Sequence, residues 1–230
     1  MAEHVVEFGK DGRPREPDGR LDAAAYHRNH RPIWAVLSRL LTGQAGDVLE
    51  AGSGTGQHVV HFASHTPDII WWPSDLNAQH LTSIAAWQAH AGLPNIRPPH
   101  RIDLSEPDWF MRLQQEGGPK ELAAIFCANV IHIAPWTVAE GLFAGGARAL
   151  KPNGLLVLYG PFKRDGKHTA VSNAVFDTSL RERNADWGVR DIAGLDELAA
   201  RTGFSLRETV EMPANNLILV FQRGAEIMMR

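Results

Sequence analysis

An apolar strand runs directly into a glycine loop and then into a helix in the segment Val48-Leu49-Glu50-Ala51-Gly52-Ser53-Gly54-Thr55-Gly56-Gln57. Glycine occupies every second position of the loop. Without a Cβ, the chain can turn tightly and bring its backbone against a ligand. The segment therefore predicts the first strand, loop and helix of an open α/β sheet, with a ligand at the loop. The alternative is a tight strand-to-helix turn that binds nothing.

Glu50, directly before the loop, separates two kinds of ligand. A dinucleotide site prefers a neutral loop that faces the pyrophosphate at a helix N-terminus, and its third glycine falls one residue later than Gly56. S-adenosylmethionine has no phosphate, but its amino group and sulfonium favour a nearby carboxylate. Glu50 and the loop residues Gly52, Ser53, Gly54 and Gly56 therefore predict an S-adenosylmethionine site.

Two further acidic residues follow predicted strands. Asp75 comes after the second strand, where a carboxylate can accept hydrogen bonds from both ribose hydroxyls; the alternative is that it caps the helix that begins near Asn77. Asp103 comes after the third strand, where it would accept from the adenine amine, and a structural role is equally open. The predicted cofactor site is completed by Leu76, Leu104 and Asn129.

Short apolar runs alternate with helical segments along the chain, which predicts βα units and a mainly parallel sheet. Strands are predicted at Asp47–Glu50, Ile69–Trp72, Arg97–Ile102, Leu122–Ala128, Leu155–Tyr159, Leu206–Glu211 and Leu217–Gln222. Helices are predicted at 57–65, 77–91, 107–116, 137–149 and 194–202, with C-terminal caps at Gly92 and Gly203.

The last two strands are separated only by Pro213 to Asn216, which is too short for a parallel crossover, so they must pair antiparallel. An antiparallel final hairpin distinguishes the methyltransferase sheet from the dinucleotide-binding one. The predicted fold is therefore α/β: a Rossmann-like class I methyltransferase, with a seven-stranded, mostly parallel sheet, an antiparallel last strand and helices on both faces.

An amphipathic helix precedes the first strand. It starts at Pro32 and ends at Gly43, with apolar side chains at i, i+3, i+4, i+7 and i+8, namely Ile33, Val36, Leu37, Leu40 and Leu41. Residues 1–20, rich in charges, proline and glycine, predict a flexible arm. Residues 21–230 predict a single domain, in which 160–191 form a lid-like insertion with a helix near 170–183.

The composition is that of an ordinary globular protein, with 44% hydrophobic and 21% charged residues. A net charge of −3 gives no excess of positive charge for a nucleic-acid backbone, so nucleic acid is disfavoured as a partner. The single cysteine, Cys127, rules out an internal disulfide and a thiolate cluster. With no apolar signal or membrane segment in the sequence, a cytoplasmic location is expected.

Three histidines, His58, His61 and His65, fall on one side of a predicted helix. No carboxylate on that face completes a metal site, so a solvated or half-buried helix face is the preferred interpretation, and no metal is predicted.

Several longer motifs resemble a methyltransferase-like family catalogued as a domain of unknown function. They are the glycine loop, Trp72-Pro73-Ser74-Asp75, Asn129-Val130-Ile131-His132-Ile133-Ala134-Pro135-Trp136, Tyr159-Gly160-Pro161-Phe162, Ser172-Asn173, Phe176-Asp177, Trp187-Gly188-Val189-Arg190-Asp191 and Met212-Pro213-Ala214-Asn215-Asn216. The resemblance runs from about Arg28 to Arg223 and implies a class I fold with S-adenosylmethionine as cofactor. It implies little about the methyl acceptor, and the segment Ala23 to His27 is less typical of the family.

Methyl transfer from a sulfonium is a direct displacement, so the protein mainly supplies alignment. If the acceptor is a hydroxyl, His132 after the fourth strand is the first candidate for a base, with Tyr159 as a second catalytic candidate. The alternative for His132 is a hydrogen bond to the backbone that shapes the pocket. Residues predicted to contact a small-molecule substrate are Arg28, Asn29, Trp136, Phe162, Asn215 and Asn216.

The aromatic residues among these can instead be core, and Asn215 and Asn216 can be present because asparagine tolerates a positive φ. Two other functions compete with the methyltransferase hypothesis. An NAD-dependent oxidoreductase shares the first βαβ unit but should lack the final hairpin. A binding module would keep the cofactor pocket without turnover.

Overall fold

The structure is a computed structural model that describes residues 17–225. Most of the predicted flexible arm, residues 1–16, lies outside the described residues. Internal contacts divide the chain into two compact units, Met1–Asp103 and Leu104–Arg230. The helices of the described chain are α1 (Ala24–Leu41), α2 (Gln57–Ala63), α3 (Ala78–Ala91), α4 (Trp109–Gln115), α5 (Trp136–Ala149), α6 (Val171–Arg183) and α7 (Ile192–Thr202).

The strands of the described chain are β1 (Gly46–Ala51), β2 (Ile69–Asp75), β3 (His100–Arg101), β4 (Leu122–Ala128), β5 (Leu150–Gly160), β6 (Phe162–Arg164), β7 (Lys167–His168), β8 (Arg190–Asp191), β9 (Phe204–Met212) and β10 (Asn216–Arg223). Within residues 17–225, seven strands form one sheet in the order β3-β2-β1-β4-β5-β10-β9. The sheet is mainly parallel, and β10 pairs antiparallel with both β5 and β9. The predicted sheet with its antiparallel final hairpin is confirmed.

In the first unit, the helix predicted to start at Pro32 in fact starts at Ala24. Proline lacks an N–H and therefore leaves one helical carbonyl unpaired, but other contacts hold the preceding turns. His30 Nδ1 lies 2.9 Å from the Tyr26 carbonyl, and the two rings stack with centroids 4.5 Å apart. The predicted apolar stripe is confirmed, since the buried residues of α1 are Ile33, Val36, Leu37, Leu40 and Leu41.

The third strand is shorter than predicted. Only His100 and Arg101 pair with β2, instead of the range Arg97–Ile102. Pro98 and Pro99 interrupt that range, and neither has an N–H to donate to a ladder. Upstream of them, Ile96 forms an isolated parallel bridge with Trp71.

In the second unit, β4 has the predicted bounds and pairs in parallel with β5, which is longer than predicted. The insertion 160–191 contains α6 close to its predicted range. It also contains the three-stranded sheet β7-β6-β8, which the sequence did not reveal. These strands have two or three residues each, too few for an alternating pattern to be visible.

None of the helices within residues 17–225 combines the length and the apolar character needed to cross a membrane.

Helix α4 packs against α5 at two glycines. A Cβ on Gly145 would lie 2.0 Å from Trp109 Nε1, and one on Gly141 would lie 2.0 Å from the Leu104 carbonyl oxygen. The indole of Trp109 is buried and donates a 3.0 Å hydrogen bond to the Gly141 carbonyl. Gly145 is thus required by the approach of α4 at Trp109, and Gly141 by the approach of the segment before α4 at Leu104.

We expect Gly145→Ala to lower the free energy of unfolding by roughly 1–3 kcal/mol, because the added methyl overpacks a filled core. Gly194→Ala is the matched control: it also lies in a helix, its nearest neighbour is Trp136 Cη2 at 3.9 Å, and it should be neutral or stabilising by up to about 1 kcal/mol. Urea unfolding of both variants measures the difference. Equal stability of the two variants would contradict this packing.

A cluster of aromatic rings joins α1 to α2. Tyr26 contacts His58 edge-on at 5.3 Å between centroids, and His30 contacts His61 in the same way at 4.9 Å. The Nε2 atoms of His58 and His61 are buried without a hydrogen-bond partner among the described residues. The preferred interpretation of a solvated or half-buried face is confirmed, since His58 and His61 are half-buried and His65 is exposed, and the ring contacts to α1 account for the burial. No group of metal-ligating side chains suited to a metal ion occurs within residues 17–225.

Burial lowers the pKa of His58 to about 3, with smaller contributions from His30 and His61. As the pH falls, His58 therefore binds a proton in the unfolded chain before it does so in the folded chain. The stability that neutral His58 provides is present above pH 6.5 and is lost as the pH falls from 6.5 towards 3. In His58→Phe, which keeps the ring contacts, we expect the acid-induced fall in unfolding free energy to be shallower by up to about 1.4 kcal/mol per pH unit.

Urea unfolding between pH 7 and pH 4 measures this slope, with the exposed His90→Phe as control. If His58→Phe and the wild type lose stability in parallel, the buried neutral histidine is not the cause of acid sensitivity.

Candidate functional site

The glycine loop lies between β1 and α2, and its backbone explains its composition. Gly52, Gly54 and Gly56 all have positive φ, at 73°, 56° and 89°. A Cβ on Gly56 would lie only 2.8 Å from the Ile84 Cα, whereas one on Gly54 would meet nothing within 4 Å. Gly56 is therefore required by the approach of α3, and Gly54 only by its backbone conformation.

The ends of β1 and β2 are fastened together beside this loop. Ser53 donates its backbone N–H to the Ser74 carbonyl at 2.7 Å, and the Ser74 hydroxyl donates to the Glu50 carbonyl at 2.9 Å. The Ser53 hydroxyl also donates to that carbonyl, at 3.2 Å. These hydrogen bonds therefore fix the backbone at the point where the glycine loop begins.

Glu50 is the buried acid of this region. Its side chain is 2% exposed, and Oε2 has no hydrogen-bond partner among the described residues. Burial raises the pKa of Glu50 to about 8; a hydrogen bond from Ser53 opposes this shift, and the charge of Asp75 adds to it. At neutral pH the carboxyl is mostly protonated unless a cation pairs with it.

Asp75 binds the loop directly. Its Oδ2 accepts the Gly54 N–H at 2.9 Å, and its Oδ1 accepts the Asn77 N–H at 2.9 Å. His80 Nδ1 lies 3.1 Å from Oδ1. The alternative in which Asp75 caps α3 is wrong, because the cap is Asn77, whose side chain accepts the Gln79 N–H at 2.8 Å.

The other predicted cofactor residues of the first unit are less constrained. Leu76 is half-buried, and its carbonyl accepts from Arg101 Nε at 3.4 Å. Asp103, also half-buried, ends this unit. Arg28 and Asn29, both predicted to contact the substrate, lie on α1, where Arg28 is exposed.

In the second unit, His132 is the buried titratable group. It is 3% exposed, and its ring packs against Gly160, where a Cβ would lie 3.1 Å from Cε1 and 3.5 Å from Asn129 Oδ1. Burial, together with the charge of Arg190, lowers the pKa of His132 to about 3. The imidazole is therefore neutral at physiological pH, and Phe176 contacts it edge-on at 5.7 Å between centroids.

Tyr159 and the turn after β9 meet in the same unit. Asn216 Nδ2 donates to the Tyr159 hydroxyl at 3.1 Å, and the Tyr159 carbonyl accepts the Asn129 N–H at 2.9 Å. Asn215 has the positive φ expected of a turn asparagine, 58°, but Asn216 does not, with φ −86°. The turn explanation therefore holds for Asn215 alone.

Two predicted substrate contacts and one cofactor contact lie in packed surroundings. Phe162 is 1% exposed, so its ring is part of the core. Leu104 is buried as well. Trp136, the first residue of α5, is half-buried, with the Arg190 guanidinium 5.8 Å from its ring centroid.

Arg190 and Asp177 are anchors that the sequence did not single out, although both belong to the quoted motifs. Arg190 donates to the carbonyls of Ile131 and Ala134 on either side of His132. Asp177 is buried and accepts the Val189 N–H at 2.7 Å, and Lys163 Nζ lies 2.7 Å from its Oδ2. The segment around Arg190 therefore fixes the backbone that carries His132.

The strand order with its antiparallel hairpin is the Rossmann-like fold of class I methyltransferases, and solved structures agree. An O-methyltransferase family protein from Burkholderia thailandensis superposes with a TM-score of 0.73 at 17% identity, over 88% of this chain and 58% of that one. The S-adenosylmethionine-dependent methyltransferase SibL in its apo form gives 0.67 at 16% identity, over 86% and 55%.

The magnesium protoporphyrin IX methyltransferase from Synechocystis PCC 6803, solved with bound SAH, gives 0.63 at 15% identity, over 86% of this chain and 84% of that one. The chain thus spans a little over half the length of the first two structures. It belongs to the family described as "Protein of unknown function (DUF938)", whose model matches residues 20–223.

The raised pKa of Glu50 gives a pH-dependent stability. Between pH 4.5 and 8 the Glu50 carboxyl is ionised in the unfolded chain but protonated in the folded chain. The contribution of Glu50 to the free energy of unfolding is therefore largest below pH 4.5 and falls as the pH rises towards 8. We expect Glu50→Gln to remove this fall, which amounts to at most about 1.4 kcal/mol per pH unit. Urea unfolding from pH 5 to 8 measures it.

The exposed Glu121→Gln is the control and should follow the wild type. Parallel curves for Glu50→Gln and the wild type would mean that Glu50 ionises normally in the folded chain.

Proposed function

We propose that this chain is an S-adenosylmethionine-dependent methyltransferase that acts on a small-molecule acceptor. The observation that carries the proposal is the Glu50 carboxyl, buried at the start of the glycine loop with Oε2 unpaired among the described residues. A buried ionisable group without a partner costs free energy, which a cationic ligand would offset. The pyrophosphate of a dinucleotide is an anion and offers Glu50 no positive charge with which to pair.

Asp75 and the loop backbone fit the remaining polar groups of such a ligand. Both carboxylate oxygens of Asp75 accept hydrogen bonds at present, from Gly54 and Asn77, so the group is oriented. A carboxylate has about four acceptor positions, which leaves room for ribose hydroxyls. When bound, S-adenosylmethionine would supply an electrophilic methyl group. In this proposal Gly52, Ser53, Leu76, Asp103, Leu104 and Asn129 complete the cofactor contacts.

The acceptor is proposed to contact His132 and Tyr159. With its pKa near 3, neutral His132 can accept a hydrogen bond from a hydroxyl but is a weak base. We therefore assign it the orientation of the acceptor, since displacement at a sulfonium depends on alignment. The further acceptor contacts in this proposal are Arg28, Asn29, Trp136, Phe162, Asn215 and Asn216, and residues 160–191 would cover the acceptor.

Two further observations support the proposal. Similar folds include methyltransferases solved with SAH, among them the Synechocystis enzyme and CalO1, a methyltransferase in calicheamicin biosynthesis. The antiparallel hairpin of β9 and β10 is not expected of an NAD-dependent oxidoreductase. We also propose a cytoplasmic location, because the only cysteine, Cys127, is a buried thiol, which suits a reducing compartment.

Calorimetric titration of the full chain with S-adenosylmethionine, SAH and NAD tests the proposal. We expect heat with the first two ligands and none with NAD. Glu50→Gln and Asp75→Asn should each weaken the binding of S-adenosylmethionine about 10- to 100-fold, because each removes a charge-assisted contact. The exposed Asp68→Asn should bind as the wild type does.

Binding of NAD alone, or of no ligand, would overturn the proposal. Binding of S-adenosylmethionine without methyl transfer to any acceptor in a broad panel of phenols, amines, thiols and carboxylic acids would favour a cofactor-binding module.

A further inference from the structure

Residues Asp18–Ala23, which we call the strap, precede α1 and lie against α3. The Leu21 N–H donates to Ser83 Oγ at 2.9 Å, and Trp87 Nε1 donates to the Leu21 carbonyl at 2.9 Å. The Arg20 guanidinium stacks over the Trp87 ring, 4.6 Å from its centroid. Both sides of the Leu21 peptide are therefore held by α3.

The other end of the strap is held by Gln57, the residue that follows the glycine loop. Gln57 Oε1 accepts the Ala23 N–H at 2.8 Å, and Gln57 Nε2 donates to Asp22 Oδ1 at 2.8 Å. The side chain is buried, with 4% of its surface exposed. Because this buried amide both accepts and donates a hydrogen bond, it holds Asp22 and Ala23 in one position.

Two of the side chains that hold the strap, Gln57 and Ser83, also hold the glycine loop, and both do so at Thr55. Thr55 Oγ1 donates to Gln57 Oε1 at 3.0 Å, and Ser83 Oγ donates to the Thr55 carbonyl at 2.8 Å. Ser83 is fully buried, so its hydroxyl accepts from the strap and donates to the loop with no alternative in water. The strap and Thr55 are therefore connected twice, each time through a single side chain: once through Ser83 and once through Gln57.

We propose that the strap is a positioning element of the cofactor loop, with Gln57 and Ser83 as the positioning residues that couple the two. The inference rests on the proposed function. When the strap undocks, Ser83 Oγ loses the hydrogen bond from the Leu21 N–H and Gln57 Oε1 loses the one from the Ala23 N–H. The two side chains that bind Thr55 are then less well fixed, so the conformation of Thr55 is less stable. A ligand that requires this loop conformation then favours docking of the strap. By linkage, docking of the strap raises the affinity for the ligand by the same factor.

Limited trypsin digestion of the full chain, followed by mass spectrometry, measures undocking at the Arg20–Leu21 bond. Cleavage there requires local opening, because the Arg20 side chain is only 15% exposed. We expect saturating SAH to slow this cleavage at least about fivefold. Cleavage at Lys120–Glu121, between two exposed residues, should be unaffected and serves as the internal control.

A substitution tests the coupling from the other side. Trp87→Phe removes the hydrogen bond to the Leu21 carbonyl but leaves the hydrogen bonds of Thr55 to Gln57 and Ser83 in place, so its direct effect is on the strap. We expect faster cleavage at Arg20 and a rise in the SAH Kd that grows with the undocked fraction of the strap, up to the factor by which SAH slows cleavage in the wild type. Ala89→Ser, at an exposed position of the same helix, should change neither quantity.

The outcomes separate the two proposals. If SAH binds but cleavage at Arg20 is unchanged, the strap does not position the loop, and the proposed function stands. If Arg20 in Trp87→Phe is cleaved as fast as Lys120, so that the strap is mostly undocked, and SAH still binds as in the wild type, the coupling is likewise excluded. If SAH does not bind the wild type, both proposals fall.

Discussion

Burial of one carboxyl group at the end of β1 is the constraint on which the proposed cofactor site depends. Glu50 occupies a position that an apolar residue would fill at lower cost, and nothing within residues 17–225 pairs with its Oε2. The carboxyl therefore takes up a proton in the unliganded chain, with a pKa of about 8. Such a group can ionise when a cation replaces the proton, and this property is the reason that we propose a positively charged ligand at the glycine loop.

Hydrogen bonds from neighbouring elements hold the loop beside Glu50. Ser53 and Ser74 join the ends of β1 and β2, Asp75 holds the Gly54 N–H, and Ser83 holds Thr55. Ser53, Gly54 and Thr55 are therefore each restrained by a hydrogen bond to a neighbouring element. A binding loop that is organised before the ligand arrives loses less conformational entropy on binding.

The sequence predicted the sheet well because its signals are local. The alternation of apolar runs with helices and the short link from Pro213 to Asn216 were enough for the fold, and β4 was placed at its observed bounds. Errors arose where tertiary contacts outweigh a local signal. Pro32 resembles a helix start, yet α1 begins at Ala24, because ring contacts to α2 stabilise the turns before it.

The candidate site was only partly visible in the sequence. Glu50 and Asp75 are predicted from the sequence because they lie where apolar strands end. The polar bridges of Gln57 are not, since its partners Asp22 and Ala23 lie more than 30 residues away. The same holds for Arg190, whose contacts with Ile131 and Ala134 cross a long insertion. Hydrogen bonds of this range leave no periodic pattern, so a single sequence does not reveal them.

The most direct test is proton release on binding, measured by calorimetry at pH 7 in buffers of different ionisation enthalpy. If S-adenosylmethionine pairs with Glu50, binding should release close to one proton per chain, and Glu50→Gln should release none from this site. Binding of S-adenosylmethionine with equal proton release in the wild type and in Glu50→Gln would contradict the claim that the buried carboxyl receives the cation.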